Sequence, residues 1–162
     1  MLAAVLAAAL SLAAPGTATL LAAGDVASCR SSGDEATAAL VAKVPGTVAV
    51  LGDIVYDRGT AAELARCYSP SWGRFRARTR PALGNHDYGS GSAAPAIAYF
   101  GLPRSYYSYE LGAWHAVVLD SNCWAVGGCG TGSPQERWLR ADLAAPPARC
   151  TLAYWHHPRF RS

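Results

Sequence analysis

Three short apolar runs in this chain end the same way, with glycine followed at once by a side chain able to bind a cation. "TLLAAGD" ends at Gly24-Asp25, "TVAVLGD" at Gly52-Asp53 and "PALGNHD" at Gly84-Asn85-His86-Asp87. Apolar runs of this length bounded by turn residues read as buried strands, the third of them brief. The stretches between them read as helices. Ser32 with Glu35 three residues on predicts a capping box, and Pro45-Gly46 is expected to stop that helix; residues 60–68 suit a second, shorter one. Such alternation predicts an α/β fold, in which ligands collect at the carboxyl ends of the strands, where these polar turns fall.

The second half is richer in strand pattern. "SYYSYELGAWHAVVLDS" reads as two strands around Leu111-Gly112, and Tyr106, Tyr107 and Tyr109 are expected to pack. Ser133, Pro134 and Glu136 open a helix as cap, first and third helical residues. "CTLAYWHHP" reads as a further buried strand that delivers His156 and His157 to its end. The chain shows no internal repeat and no linker that would split it. Its 162 residues are enough for one domain with a sizeable core.

Composition excludes several classes. Half the residues are hydrophobic and 15% are charged, which is not the composition of a disordered chain. A net charge of +3 tolerates anionic substrates but falls short of a nucleic-acid footprint, so no specific nucleic-acid binding is expected. The uncharged, Ala/Leu-rich residues 1–18, broken by Pro15-Gly16, read as a secretory signal peptide cleaved after Ala18, although no Lys or Arg follows Met1. A membrane-spanning helix, the rival reading, would have to run through Pro15-Gly16. The expected location is therefore secreted, without stable membrane insertion after signal removal. Five cysteines suit an oxidising compartment, with free buried thiols as the alternative. Cys123 and Cys129 flank a loop short enough for a disulfide to close, whereas Cys29, Cys67 and Cys150 have no assignable partner.

Asp25, Asp53, Asn85 and His156 each follow a separate strand, so a shared sheet would gather them without sequence proximity. Carboxylates with imidazole suit borderline divalent or trivalent metals, and a carboxylate on the middle strand can bridge two ions. Singly, Gly-Asp and Gly-Asn are ordinary turn dipeptides.

Together, Gly24-Asp25, Gly52-Asp53-Ile54-Val55-Tyr56, Gly84-Asn85-His86-Asp87 and the strand-end His156 resemble the calcineurin-like metallophosphoesterase superfamily. Within it the chain is most similar to the purple acid phosphatase-like branch. Ala27 stands where other branches place a histidine, and Tyr56 stands where this branch places a phenolate. The resemblance implies two mixed β-sheets packed as a sandwich and flanked by helices, here over residues 19–162. It implies that Asp25, Asp53 and Tyr56 bind one ion, and that Asp53 bridges to a second held also by Asn85 and His156. His156 is preferred over His157 because His156-His157-Pro158 matches the superfamily's His-x-Pro. His86 would contact the phosphate and protonate the leaving alcohol, with Asp87 orienting it. The implied function is hydrolysis of a small-molecule phosphate ester by a dinuclear centre of Fe, Zn or Mn with a metal-bound hydroxide nucleophile.

The superfamily's last motif, Gly-His-x-His, is not among these residues, which stop at "HHPRFRS". The chain is accordingly expected to be the N-terminal part of a longer enzyme, with impaired turnover. The alternatives are a non-catalytic metal- or phosphate-binding remnant and a secreted interaction module. Tyr56 has a second reading as a packed aromatic. His157 is expected in the cleft without ligating, and His115 as a hydrogen-bonded core histidine. Arg74, Arg76, Arg78 and Arg80 could attract phosphate, but a solvated helix face is favoured.

Overall fold

The computed structural model describes residues 17–145 and 150–160. Most of the signal-peptide segment, residues 1–16, lies outside the described residues. Among the described residues no helix is long and apolar enough to cross a membrane. The architecture is α/β, built from small sheets and short helices. Strands β1 (Leu20–Ala23) and β3 (Thr47–Val50) pair in parallel, as do β2 (Ala27–Ser28) and β4 (Val55–Tyr56). Helix α1 (Gly33–Val41) connects β2 to β3. Strands β5 (Tyr107–Leu111), β6 (Trp114–Val118) and β7 (Cys150–Tyr154) form a third sheet, antiparallel at β5–β6 and parallel at β6–β7.

β3 explains why "TVAV" carries no polar alternation. Val48 and Val50 face one core with Ile54, Val55, Leu64, Tyr68 and Trp72, whereas Ala49 faces a second with Ala82, Tyr107, Val118 and Tyr154. A strand buried on both faces has no side left for polar residues. The small Ala49 and Ala82 make room for the two tyrosines. Tyr107 donates its hydroxyl to Pro81 O and Tyr154 to Arg80 O, both at 2.8 Å, fastening the third sheet to the segment beside β3.

That segment corrects one expectation. "PALGNHD" is not a full strand but two parallel bridges, Val48 with Thr79 and Leu51 with Ala82. The amides of Arg80 and Ala82 donate to Val48 O (2.7 Å) and Val50 O (2.8 Å), and Pro81 between them has no N–H to bond on the other side. β1 and β7, expected to be buried, are largely half-exposed or exposed, since each lies at the edge of its sheet.

Helix starts follow tertiary bonds as much as caps. Ser32 makes no capping bond. Instead the buried Asp34 accepts from Ser71 Oγ, and Trp72 Nε1 donates to Asp34 O at 3.1 Å, which positions the first turn from outside. α1 ends at Val41, before Pro45-Gly46, where Arg78 donates to the carbonyls of Val41, Val44 and Gly46. The expected helix at 60–68 is α2 (Ala61–Glu63) running into a π-helical turn, Leu64–Tyr68, behind a Thr60/Glu63 capping box. A 3-10 helix, Trp72–Arg78, follows, and α3 (Ala94–Phe100) precedes β5. α4 (Pro134–Leu143) starts as read, with Ser133 Oγ accepting from Glu136 N at 3.3 Å.

Two disulfides staple the chain. Cys123–Cys129 closes the short loop, and Cys29–Cys67 joins two residues with no sequence signal for pairing; Cys150 is an exposed free thiol. Because they span 38 and 6 residues, their loss should cost about 4 and about 2 kcal/mol by chain entropy. Urea denaturation of the Cys29→Ser/Cys67→Ser and Cys123→Ser/Cys129→Ser pairs checks this, and equal losses would refute the loop-length account.

His115 lies half-buried on β6 between Asp142 (Nε2, 2.6 Å) and Glu110 (Nδ1, 2.8 Å). These hydrogen bonds, Asp142's first, raise its pKa above the ordinary imidazole value near 6.5. The stabilisation should therefore be full below about 6.5 and vanish as pH climbs through the raised value. Thermal melts of His115→Gln should approach those of the parent chain on the alkaline side and fall below them at pH 5.5–6 (about one unit under the ordinary value).

Candidate metal centre

The first three Gly-marked turns meet at the carboxyl ends of β1, β3 and the bridge segment. The first two are hydrogen-bonded to each other, Asp25 N to Gly52 O at 3.1 Å and Val26 N to Asp53 O at 3.0 Å. Both aspartates hold left-handed backbone, with φ of 54° at Asp25 and 48° at Asp53. That conformation costs an L-residue about 1–2 kcal/mol and is kept only where surrounding contacts impose it.

Asp53 is 3% exposed, and its two carboxylate oxygens face different partners. Oδ2 lies 2.8 Å from the Tyr56 hydroxyl, which also bonds Asp25 Oδ1. Oδ1 accepts from the His86 backbone N–H at 2.9 Å and stands 3.5 Å from His156 Nε2. β7 delivers His156 to this point, where Nδ1 is 2.8 Å from Leu51 O. A carbonyl only accepts, so Nδ1 carries a proton and Nε2 is the nitrogen that faces Asp53.

Two glycines make the convergence possible. A Cβ on Gly52 would lie 2.5 Å from His156 Nδ1, and one on Gly84 would lie 2.1 Å from Asp53 Oδ1. The sequence pattern of glycine before each polar residue thus has a steric reason at two of the three turns.

The proton count is the telling feature. The Tyr56 hydroxyl offers one hydrogen to two carboxylate oxygens, one on Asp25 and one on Asp53. Burial first, then the hydrogen bonds to Asp25 and Asp53 and their charge, holds the Tyr56 hydroxyl well above the ordinary phenol range. A row of acceptors short of protons suits a cation. His156 also has the posture of a metal-binding histidine, its other nitrogen donating to a backbone carbonyl. Among the described residues, however, no three His, Cys, Asp or Glu side chains form a ready-made metal-binding group. Asp25, Tyr56, Asp53 and His156 form a row, and its completion rests on Tyr56.

Asn85 is exposed, next to Gly84 where the backbone presses on Asp53, and makes no side-chain hydrogen bond among those described. His86 is half-buried, its ring 4.4 Å from that of Tyr56, and its Nδ1 lies 2.6 Å from Asp57 O. The expected orienting role of Asp87 is corrected here. Its carboxylate is buried and accepts from Ile54 N (3.0 Å) and Gly84 N (2.8 Å), tying two turns together beneath Asp53. Burial pushes its pKa up to about 7, against those two N–H bonds. The group that orients His86 is the Asp57 carbonyl, and a backbone atom leaves no trace in a sequence. His157 stands beside His156 with Nδ1 on Ser121 Oγ at 2.8 Å. Arg30, paired with Asp57, was not singled out from sequence because its partner lies on another loop.

Gly84→Ala should displace Asp53 and destabilise the fold by about 1–3 kcal/mol, the usual cost of overpacking. Gly130→Ala, where a Cβ meets nothing within 4 Å and φ is likewise outside the left-handed region, is the control without a contact. Chemical denaturation of both variants checks this; equal losses would show that the contact with Asp53 does not set the cost.

No protein-family model matches the chain, and no curated protein matches it.

Proposed function

We propose that this chain is a metal-dependent phosphoesterase of the calcineurin-like metallophosphoesterase superfamily, in its purple acid phosphatase-like branch, acting on small-molecule phosphate esters outside the cell. The observation that carries the reading is the Asp53 carboxylate, whose two oxygens face Tyr56 with Asp25 and His156 respectively. On this reading Asp25, Asp53 and Tyr56 hold one ion, and Asp53, Asn85 and His156 a second. The reading also carries the sandwich fold, with β3 and its neighbours as one layer and β5–β6–β7 as the other. The disulfides fit a secreted protein.

When bound, Fe, Zn or Mn would supply Lewis acidity at the phosphoryl oxygens and an acidified water. The protein's own groups do the rest. Asp53 is held rigidly by the His86 amide and by its buried setting, so it need not reorganise as charge develops. Asp57 O fixes the His86 ring through Nδ1 and leaves Nε2 free, so that the protonated ring would pass its Nε2 proton to the departing alcohol. Tyr56 packs on His86 and limits its tilt.

The test is metal content and hydrolysis of p-nitrophenyl phosphate by the purified chain. We expect two ions per chain and turnover that Asp53→Asn abolishes, with His86→Ala lowering kcat about 10²–10⁴-fold while metal content stays intact. A chain that takes up no ion at micromolar metal, or hydrolysis indifferent to Asp53→Asn, would overturn the proposal. Metal uptake without turnover would favour a binding remnant.

A further inference from the structure

An open cleft of about 760 Å³ lies between the 3-10 helix Trp72–Arg78, the end of α3 and the start of β5. It is away from the metal centre. β3 and the bridge segment run in parallel from the cleft, at Thr79 and Arg80, toward Asp53 and Asn85. Residues 79 to 85 span on the order of 20 Å of extended chain. Arg74, Arg76 and Arg80 line the cleft with Phe100, Tyr107 and Tyr109, and no carboxylate is among its lining residues.

The four arginines of this stretch divide by use. Arg78 gives both terminal nitrogens to carbonyls at the end of α1 and is structural. Arg80 uses Nη1 on Ala77 O and Thr79 O, and lies 5.7 Å over the Tyr109 ring. Arg76 lies 5.0 Å over the Tyr99 ring and Arg74 5.0 Å over Phe75. Among the described residues none of these three has a carboxylate within salt-bridge distance; the acid pairs go to Arg30 and Arg140. Ser108, also on the lining, turns its hydroxyl to Asp142, which His115 engages as well.

Three arginines and no carboxylate line one concavity, and a cleft of single charge sign focuses potential for an anion. Guanidinium planes bind phosphate, sulfate or carboxylate in a fork and stack on rings. Of the aromatic rings beside them, Phe100 and Tyr109 are half-buried, whereas Tyr107 is buried in the core. We propose that this cleft is a second binding site, for a small anion that carries an aromatic ring: the anionic group on Arg74, Arg76 and Arg80, the ring against Phe100 and Tyr109.

Naphthalene-2-sulfonate tests it, since its carbon–sulfur bond gives a phosphoesterase nothing to cleave. Titration calorimetry on the chain in EDTA should show sub-millimolar binding (~10⁻⁴ M, or about −5.5 kcal/mol) that weakens as salt is raised. Neutral 2-naphthol and inorganic sulfate should each bind at least about tenfold more weakly. The exposed Arg74→Gln/Arg76→Gln pair should lose tenfold or more, and Leu102→Trp, which fills the cleft without altering charge, should abolish binding. Asp53→Asn should leave it intact, separating this site from the metal centre. No binding at millimolar probe, equal affinity for 2-naphthol, or indifference to the arginine pair would each overturn the proposal, whatever the outcome at Asp53.

Discussion

The buried Asp53 carboxylate is the constraint around which this structure is arranged. A charge with 3% exposure must be compensated on every side, and the compensation draws in two distant parts of the chain and one close by. The His86 amide comes from the third turn, the Tyr56 hydroxyl from β4 and His156 from the end of β7. Glycine at 52 and 84 is the steric counterpart of that convergence. Asp87 serves the same centre from below, binding the amides of Ile54 and Gly84 so that the two turns flanking Asp53 cannot drift apart.

Much of this was legible because strands end where their polar residues begin. The Gly-Asp and Gly-Asn turns followed β1, β3 and the bridge segment, and "TVAV" was readable as buried strand because a strand covered on both faces loses its polar alternation. Ser133-Pro134 also opened its helix as local chemistry dictates. What failed were features decided by distant partners. Ser32 looked like a cap, but Ser71 and Trp72 hold the first turn of α1 through Asp34. Asp87 looked like the partner of the adjacent His86, yet the amides of Ile54 and Gly84 take both its oxygens. The Cys29–Cys67 pair was invisible because β2 and the π-helical turn meet only in the fold.

The tyrosines and arginines of the 74–109 region are often interchangeable as surface residues, but here they separate into fasteners and free charge. Tyr107 and Tyr154 tie the third sheet to residues 80 and 81 through carbonyls that Pro81 leaves outside any ladder. Arg78 does the equivalent for the end of α1. Arg74, Arg76 and Arg80 have no acidic partner among the described residues, at the opposite end of the β3 layer from the acidic turns. The mild net charge of +3 therefore conceals two regions of opposite sign.

The weakest element is also the one that carries Asp25 and Tyr56 into place. β2 and β4 pair over only Ala27–Val55 and Ser28–Tyr56, too short a ladder to persist alone. Left-handed backbone at Asp25 and Asp53 weakens it further, and the two carboxylates sharing one phenolic hydrogen repel each other. Cys29 follows β2 directly and is bonded to Cys67 in the π-helical turn, which packs against both β2 and β4. The disulfide thus holds the end of β2 against the element beneath Tyr56, just past the amides of Asp25, Val26 and Ala27 that bond Gly52, Asp53 and Ile54. A cation among these oxygens would act in the same direction by replacing repulsion with attraction. The bridge and the acidic row are therefore coupled: the covalent tie adds to the backbone bonds that keep the two carboxylates close together around the Tyr56 hydroxyl.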